Sequence, residues 1–388
     1  MRSIPLPWLA LGAWAVVLVT IACAVTLTGK GGRLYPTFVL AGERFRHGAS
    51  VYTWPAGEED LYRYSPMVAA ACAPWGRLPT PVGAVLWRLF EAAAFVLALR
   101  AWSRVALPAV PWPWLALLSL PLVAGNLFNG QLNPLVAALM LAALAAFARD
   151  RYWLAASAVA AATMIKVYPL ALGLLICTIE PRRFGARLLL AITIGCALPF
   201  AFQSEDYVSR QFADWVQRLT LDDRTHELLP RGYHDFQKLL RRWGMPRDLM
   251  TYRVMEALAG CAAASFILGG RTSGWSREEQ IQACADLGLV WCTLFGPATE
   301  SATYMLLAPI AAHALVVVGG RPWWERAWVR GAYLLLVAAQ VIVWFPRPVS
   351  DPFRALIPQA HAAMMLLVWT VCHRRSPSDS PFHCLPYH

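Results

Sequence analysis

The segment from Gly125 to Pro134 concentrates side chains that could bind a polar ligand. Its amides are Asn126, Asn129, Gln131 and Asn133. An amide both donates and accepts hydrogen bonds, so this set suits sugar hydroxyls or phosphate oxygens. Apolar segments flank it on both sides, and irregular polar backbone at membrane depth persists only where it lines a cavity. The alternative is simple capping of the two flanking helices.

A second polar turn, Gly296 to Thr303, interrupts the apolar sequence farther along the chain. Its polar side chains are Thr299, Glu300, Ser301 and Thr303. We expect this turn to face the amide-rich turn, so that both contribute to one pocket.

A proline interrupts the long apolar run from Tyr152 to Ile179. Because Pro169 removes a helical hydrogen bond, we expect one helix to end near Lys166 and another to begin after it. The ammonium of Lys166 then lies at the membrane surface beside Tyr168, where a fixed cation suits a phosphate. The alternative is a lysine that only snorkels to the interface.

Ionisable residues within apolar segments are costly in a membrane and are therefore candidates for function. Arg88 and Glu91 are three residues apart on one predicted helix and can pair with each other. Asp286 has no cation nearby in sequence, which favours a partner on another helix. His313 and His361 are expected to be satisfied core histidines, and no spacing supports a metal site.

The elements that position these groups are membrane helices. Of the 388 residues, 58% are hydrophobic and 15% charged, which predicts an all-α integral membrane protein with one membrane domain, residues 1–375, and a disordered tail, residues 376–388. About twelve spans are predicted, at residues 8–28, 81–103, 111–127, 131–148, 152–167, 168–180, 187–203, 253–270, 279–297, 302–318, 328–345 and 356–373. The first of these is expected to be an uncleaved helix rather than a signal peptide.

The distribution of Arg predicts the orientation of the helices. With both termini in the cytoplasm, every short inner turn is basic, including Arg149 with Arg151 and Arg374 with Arg375. The long segments 29–80 and 204–252 then lie outside. Within them, residues 67–75 and 207–221 have the pattern of helices that lie in the membrane interface.

Charge and cysteine content exclude other classes of protein. The net charge is +11, but the basic residues do not form one stripe, so nucleic acid is not expected as a partner. The nine cysteines are scattered without a C-x-x-C pair, which indicates neither a disulfide framework nor zinc.

The stretch from Asn129 to Leu175 resembles glycosyltransferase family 87, a family of membrane mannosyltransferases with the GT-C fold. It contains the patterns G-Q-x-N, at Gly130 to Asn133, and A-x-x-I-K-x-Y-P, ending at Pro169. Weaker matches are Tyr64-Ser65-Pro66 and Gly296-Pro297. The resemblance implies transfer of a hexose from a polyprenyl-phosphate donor to a lipid or glycan acceptor, at the outer face of the plasma membrane and without a metal or nucleotide cofactor.

The same resemblance implies roles for particular residues. The family's acidic residue in the first outer loop falls on Leu34, so the catalytic base must come from elsewhere. We predict Asp60 as the base, followed by Glu59, Glu43 and Glu300. The phosphate is expected to contact Lys166 and Tyr168 with Arg63 or Arg44, and the amides from Asn126 to Asn133 are expected to bind sugar.

Two other interpretations stay open from the sequence. A transporter or flippase of lipid-linked sugars could use the two polar turns near the middle of the bilayer. A family member that has lost catalysis could retain lipid binding, as the missing acid at position 34 suggests.

Overall fold

The computed structural model describes residues 5–28, 33–53, 62–221 and 232–374, and this part of the chain contains helices, turns and no strand. The α-helices are α1 Leu6–Thr28, α2 Tyr35–Arg46, α3 Pro66–Cys72, α4 Thr80–Ala106, α5 Trp112–Asn129, α6 Asn133–Ala148, α7 Tyr152–Ile165, α8 Leu170–Ile179, α9 Ala186–Ala197, α10 Glu205–Leu221, α11 Phe236–Arg242, α12 Leu249–Thr272, α13 Arg277–Leu294, α14 Ala308–Val317, α15 Trp323–Val341, α16 Arg347–Arg354 and α17 Pro358–Arg374. Short 3-10 turns extend several of them, including Ala73–Arg77 and Ser301–Leu307.

Each segment predicted as a span is helical, and the predicted all-α membrane fold is confirmed. By length and composition, 7 helical segments of the described chain can cross a membrane: Leu6–Leu27, Thr80–Ala106, Pro181–Ala201, Leu249–Thr272, Ser301–Gly320, Trp323–Trp344 and Arg347–Arg374. Asn133–Ala148, Tyr152–Ile165 and Leu170–Ile179 are shorter apolar helices. The total of twelve spans stays a prediction.

The centre of the bundle is α6, which is buried on all sides and packs against α4 and α7. Alanines make up much of α6 and α7, and small residues allow helix backbones to approach closely in a membrane. Large apolar side chains such as Leu27 and Leu189 instead face outward, as a lipid-facing surface requires.

The predicted helix break at Pro169 is confirmed. α7 ends at Ile165, Lys166 is extended with φ −144° and ψ 140°, and α8 begins at Leu170. The break packs against the end of α13, because the Cys292 thiol donates to the Tyr168 carbonyl at 3.3 Å. Gly296 is needed there, since a Cβ at that position would lie 2.1 Å from the Cys292 carbonyl oxygen.

One end of the bundle carries the described residues 33–53, 62–79, 198–221 and 232–248, and we call it the loop-rich end. There α10 holds the first segment in place: its Tyr207 hydroxyl donates to the Ala49 carbonyl at 2.8 Å, and its Trp215 indole donates to the Arg63 carbonyl at 3.1 Å. The helices predicted near residues 67–75 and 207–221 are therefore confirmed as α3 and α10. α2 and α11 were not predicted.

The contacts of two buried ionisable residues, Arg88 and Glu91, differ from the prediction. The charges of Arg88 and Glu91 act on each other, but the expected pair is not hydrogen-bonded. The Arg88 guanidinium donates to the carbonyls of Ala84, at 2.7 Å, and Phe128, at 2.9 Å. The Phe128 carbonyl is available because the end of α5 presents carbonyls that lack helical partners. Within the described chain, both Glu91 carboxylate oxygens are buried without a hydrogen bond.

Core roles for the two predicted histidines are confirmed. The His313 ring lies 3.0 Å from the Gln282 amide, and His361 Nδ1 lies 3.1 Å from the Ile357 carbonyl oxygen. Both contacts satisfy polar atoms inside helix packing.

Asp286 has the interhelical partner that its isolated position in sequence predicted. Its carboxylate accepts from the Arg374 guanidinium on α17 at 2.7 Å, and the two side chains are only 5% and 11% exposed. This ion pair joins α13 to α17 at the end of the bundle opposite the loop-rich end.

Replacing Asp286 with Asn should lower the free energy of unfolding by about 3–5 kcal/mol, because Arg374 would stay buried without its counter-charge. Thermal unfolding in detergent measures this change. Arg104→Gln, at an exposed position, is the control and should have little effect. Equal stability of both variants would contradict a structural role for the pair.

Candidate functional site

A cluster of tyrosines lies at the loop-rich end, where α2 and the segment before α3 meet. The ring centroids of Tyr52 and Tyr62 are 5.7 Å apart, and those of Tyr62 and Tyr64 are 5.6 Å apart. Phe38 of α2 packs on Tyr64 at 4.9 Å, and the Tyr52 hydroxyl donates to the Tyr64 carbonyl at 2.7 Å. These contacts fix the chain just before Pro66.

Charged groups from distant parts of the chain surround Tyr64. Burial raises the pKa of its phenol above the ordinary value. The charge of Glu300 raises this pKa further, Arg63 lowers it, and Glu91 raises it to a smaller extent. Two carboxylates and one guanidinium are therefore close enough to Tyr64 to act on the same hydroxyl.

The helix break contributes Lys166 and Tyr168 to the same place. The Lys166 ammonium lies 5.7 Å from the centre of the Tyr168 ring. The Tyr168 hydroxyl is buried without a hydrogen bond in the described chain, and its electrostatic neighbours include Tyr64 and Glu300. We use the name tyrosine–Glu300 site for the group formed by Lys166, Tyr168, Tyr64 and Glu300.

Basic residues lie on both sides of the undescribed segment 54–61. The Arg44 guanidinium donates to the Thr53 carbonyl, and Arg218 of α10 donates to the Tyr52 carbonyl at 2.8 Å. Arg63 follows the segment and is half-buried. The structure therefore brings Arg44 and Arg63 to the same end of the bundle as Lys166.

The structure describes two of the four acidic residues that were predicted as candidates for the catalytic base. Asp60 and Glu59 lie outside the described residues. Glu43, on α2, lies against Gly76, where an added Cβ would be 2.9 Å from the carboxylate Oε1. Of the four predicted acids, Glu300 is the one that the structure describes next to Tyr64.

Leu34, where the family acid was expected, is the residue that precedes α2. Its backbone amide donates to the Asn129 carbonyl at 3.0 Å, which ties the start of α2 to the amide-rich turn. Gly130 has φ 68° at this point, a left-handed conformation that glycine adopts without strain.

The amide-rich turn is closed largely on itself. The Asn133 amide donates to the Asn126 side-chain oxygen at 2.8 Å and to the Gln131 side-chain oxygen at 3.3 Å. Within the described chain, Asn126 Nδ2 and Asn133 Oδ1 are buried without a partner. The turn therefore has a structural role, with one donor and one acceptor still available.

The second polar turn continues into a segment that packs on the two helices joined by the amide-rich turn. The 3-10 segment Ser301–Leu307 packs against both α5 and α6, the helices joined by the amide-rich turn. The Thr303 hydroxyl in this segment is buried and has no hydrogen-bond partner among the described residues. Thr299 and Ser301 are used internally, since Thr299 donates to the Gly296 carbonyl at 2.9 Å and Ser301 accepts from Gln359 at 2.6 Å.

His234 is a residue that the sequence analysis missed. Its backbone amide donates to the Thr299 carbonyl at 2.8 Å, and its carbonyl accepts from the Tyr304 hydroxyl at 2.7 Å. Burial lowers the pKa of the imidazole to about 4, Arg354 lowers it further, and Glu300 opposes this change. The ring is therefore neutral at pH 7, and the charge of Glu300 acts on it as it does on Tyr64.

Glu91 is the second residue whose role was misjudged. The sequence analysis identified Glu91 as an ionisable residue at membrane depth and assigned it to a pair with Arg88. It therefore did not predict that the charge of Glu91 acts on Tyr64. A buried carboxylate without hydrogen bonds is costly, and such groups occur where function requires them. The described residues contain no group of three His, Cys, Asp or Glu side chains that could hold a metal ion.

Comparison with known proteins agrees with this geometry. The model of glycosyltransferase family 87 matches residues 62–297, more than half of the chain. The matched region includes Tyr64, the amide-rich turn and the helix break at Pro169. No curated protein matches the chain. The protein is a membrane-embedded member of glycosyltransferase family 87.

Proposed function

We propose that this protein is a GT-C hexosyltransferase that moves a sugar from a polyprenyl-phosphate donor to a lipid or glycan acceptor. Mannose is the first donor sugar to test. The observation that carries the proposal is the tyrosine–Glu300 site, where a carboxylate and fixed cations meet beside a broken membrane helix. Family membership independently supports transfer of a glycosyl group.

The donor phosphate is assigned to the cationic side of this site. The Lys166 ammonium and the Arg63 guanidinium would hold the phosphate, with Tyr168 beside them and Arg44 at the entrance. Fixed cations stabilise the charge that develops on a departing phosphate, and a site poor in water strengthens this effect. The sugar would contact the side-chain amides of Asn126, Asn129, Gln131 and Asn133. The first contacts would be made by Asn126 Nδ2 and Asn133 Oδ1, which have no hydrogen-bond partner among the described residues.

The transfer itself needs one base. The acceptor hydroxyl oxygen forms a bond to C1 of the sugar while the bond between C1 and the phosphate oxygen breaks. The acceptor proton passes to a carboxylate, and polyprenyl phosphate leaves with the electron pair. Glu300 is our first assignment for this base because its charge acts on both Tyr64 and His234. Asp60, Glu59 and Glu43 are the other candidates.

A groove in the bundle suits the prenyl chain of the donor. It has a volume of about 330 Å³ and lies between α1, α5 and α15. Its walls are apolar apart from Thr20 and Gln340, and it reaches Phe128 and Trp344 beside the amide-rich turn. An apolar groove that ends next to polar groups matches a lipid with a polar head.

The loop-rich end is assigned to the outer face of the plasma membrane, with both termini in the cytoplasm. The support is the basic character of the opposite end, where Arg277 pairs with Asp150 at 2.8 Å and Arg271 donates to the Ile179 carbonyl at 3.2 Å. Ordered loops at one face also favour an enzyme over a flippase, because alternating access does not need a fixed external site.

Replacing Glu300 with Gln should lower kcat by about 100-fold or more, because the acceptor proton would lose its base. Transfer of labelled sugar from polyprenyl-phosphate-mannose to a membrane lipid extract measures this rate. Asp60→Asn and Glu43→Gln are made beside it, and Glu278→Gln, exposed at the opposite end, is the control. Loss of transfer in Asp60→Asn, with full activity in Glu300→Gln, would assign the base to Asp60 instead.

Replacing Gly125 with Phe should raise the KM for a long-chain polyprenyl donor, because the new ring would occupy the groove. A donor with a short prenyl chain should be affected little, since it does not need the groove. Gly269→Phe is the matched control, because no atom lies within 4 Å of an added Cβ there. Equal changes in KM for long and short donors would contradict the placement of the prenyl chain.

The orientation is tested by labelling single cysteines in a variant whose nine native cysteines are replaced by alanine. A membrane-impermeant maleimide should label Arg247→Cys, at the loop-rich end, on intact cells. It should label Ser273→Cys, between α12 and α13, only after permeabilisation. The reverse pattern would place the loop-rich end in the cytoplasm.

A further inference from the structure

A second cavity opens at the loop-rich end, separate from the tyrosine–Glu300 site. Its volume is about 420 Å³, within the usual range for small-molecule sites. Most of the polar residues that line it come from the start of α11, the residues before it, and α12: Tyr233, Asp235, Gln237, Tyr252, Arg253 and Glu256. Leu219 and Thr220, at the end of α10, complete the wall.

The lining suits a ligand with many hydroxyl groups. Asp235 and Glu256 supply carboxylate acceptors, Gln237 supplies an amide, and the two tyrosines supply rings with hydroxyls. The Glu256 carboxylate accepts from the Arg253 guanidinium at 2.7 Å, which fixes both side chains. Two carboxylates and one guanidinium in the wall favour a neutral polyol over a phosphate.

Residues that line the cavity lie just before Glu300 in the sequence. Pro297 and Ala298 line it, and the chain then passes through Thr299 to Glu300. Ala298 has φ 56°, so the backbone turns sharply at this residue. The hydrogen bond from His234 to the Thr299 carbonyl holds the segment before α11 against this turn.

Residues on either side of His234 line the cavity, whereas His234 itself lies near Glu300. Tyr233 and Asp235 face the cavity. The imidazole of His234 has Glu300, Arg354 and Gln359 as its neighbours. The backbone of residues 297–299 therefore separates a ligand in the cavity from Glu300.

We propose that this cavity binds the hydroxyl-rich headgroup of the acceptor, a saccharide or polyol, with Asp235 and Glu256 as the principal hydrogen-bond acceptors. The inference rests on the proposed glycosyl transfer. Cations for the donor phosphate and acceptor-binding groups would then both lie near Glu300, as a base that serves two substrates requires.

Asp235→Asn is the most informative variant. The Asp235 side chain also caps α11 by accepting from the Lys238 amide at 2.9 Å, and Asn retains such a cap. Loss of a hydrogen bond from an ionised acceptor should raise the acceptor KM by about tenfold or more. The donor KM should stay within about twofold, whereas Glu300→Gln should lower kcat instead.

The acceptor dependence should also change with pH. Burial raises the pKa of Asp235 to about 6; Lys238 and Arg241 oppose this rise, and Glu256 adds to it. Tyr252 and Arg253 of α12 are the other polar groups that face it across the cavity. The carboxylate is ionised at pH 7.5 and protonated at pH 5, so the acceptor KM should rise as the pH falls through this range. The rise should be smaller in Asp235→Asn.

The test measures transfer at saturating donor against two acceptors, a membrane lipid extract and water-soluble methyl α-D-mannopyranoside. A higher KM in Asp235→Asn for both would assign a glycan acceptor, and a higher KM for the extract alone would assign a lipid headgroup. Glu278→Gln, at the opposite end of the bundle, is the control. An unchanged acceptor KM in Asp235→Asn, or a raised donor KM, would overturn the proposal.

Direct binding separates this inference from the proposed function. Calorimetric titration of the purified protein with methyl α-D-mannopyranoside needs no turnover. Weaker binding in Asp235→Asn would support the acceptor cavity even if the unmutated protein transferred no sugar. Equal affinity of both proteins for this saccharide, together with an unchanged KM for the lipid extract in Asp235→Asn, would overturn the assignment of the cavity.

Discussion

The contact between the helix break at Lys166 to Pro169 and the turn at Gly296 determines the rest of the site. A membrane protein must satisfy its backbone polar groups internally, so a helix can be broken only where another element covers the gap. Here the end of α13 covers it, through the Cys292 thiol and a glycine that allows close approach. The same contact places Lys166 and Glu300 near each other although 133 residues separate them.

Other segments of the loop-rich end position further side chains near that contact. α10 fixes the segment before α3, which delivers Tyr64 and Arg63. The segment Ser301–Leu307 packs against α5 and α6, and the backbone amide of His234 is bonded to the turn before this segment. Cations and carboxylates thereby come together from at least four separate regions of the chain. We propose that this arrangement binds a charged lipid head and a hydroxyl-rich acceptor near one carboxylate.

The sequence predicted what depends on local pattern. Apolar length predicted the helices, Pro169 predicted the break, and the spacing of apolar residues near Tyr207 predicted α10. Contacts between distant segments could not be predicted in this way. Arg88 was expected to pair with the nearest acid, but the carbonyl end of α5, forty residues away in sequence, provides its partner instead. His234 carries no local signal, because a single histidine in a polar loop has no spacing to interpret.

The central claim is that the donor phosphate lies between Lys166 and Arg63, next to Glu300. A cryo-electron microscopy structure with bound polyprenyl phosphate tests this directly. We predict phosphate density in contact with the Lys166 ammonium, with the prenyl chain running toward the groove beside Phe128 and Trp344. Phosphate density at the opposite end of the bundle, near Arg277 or Arg374, would contradict the account.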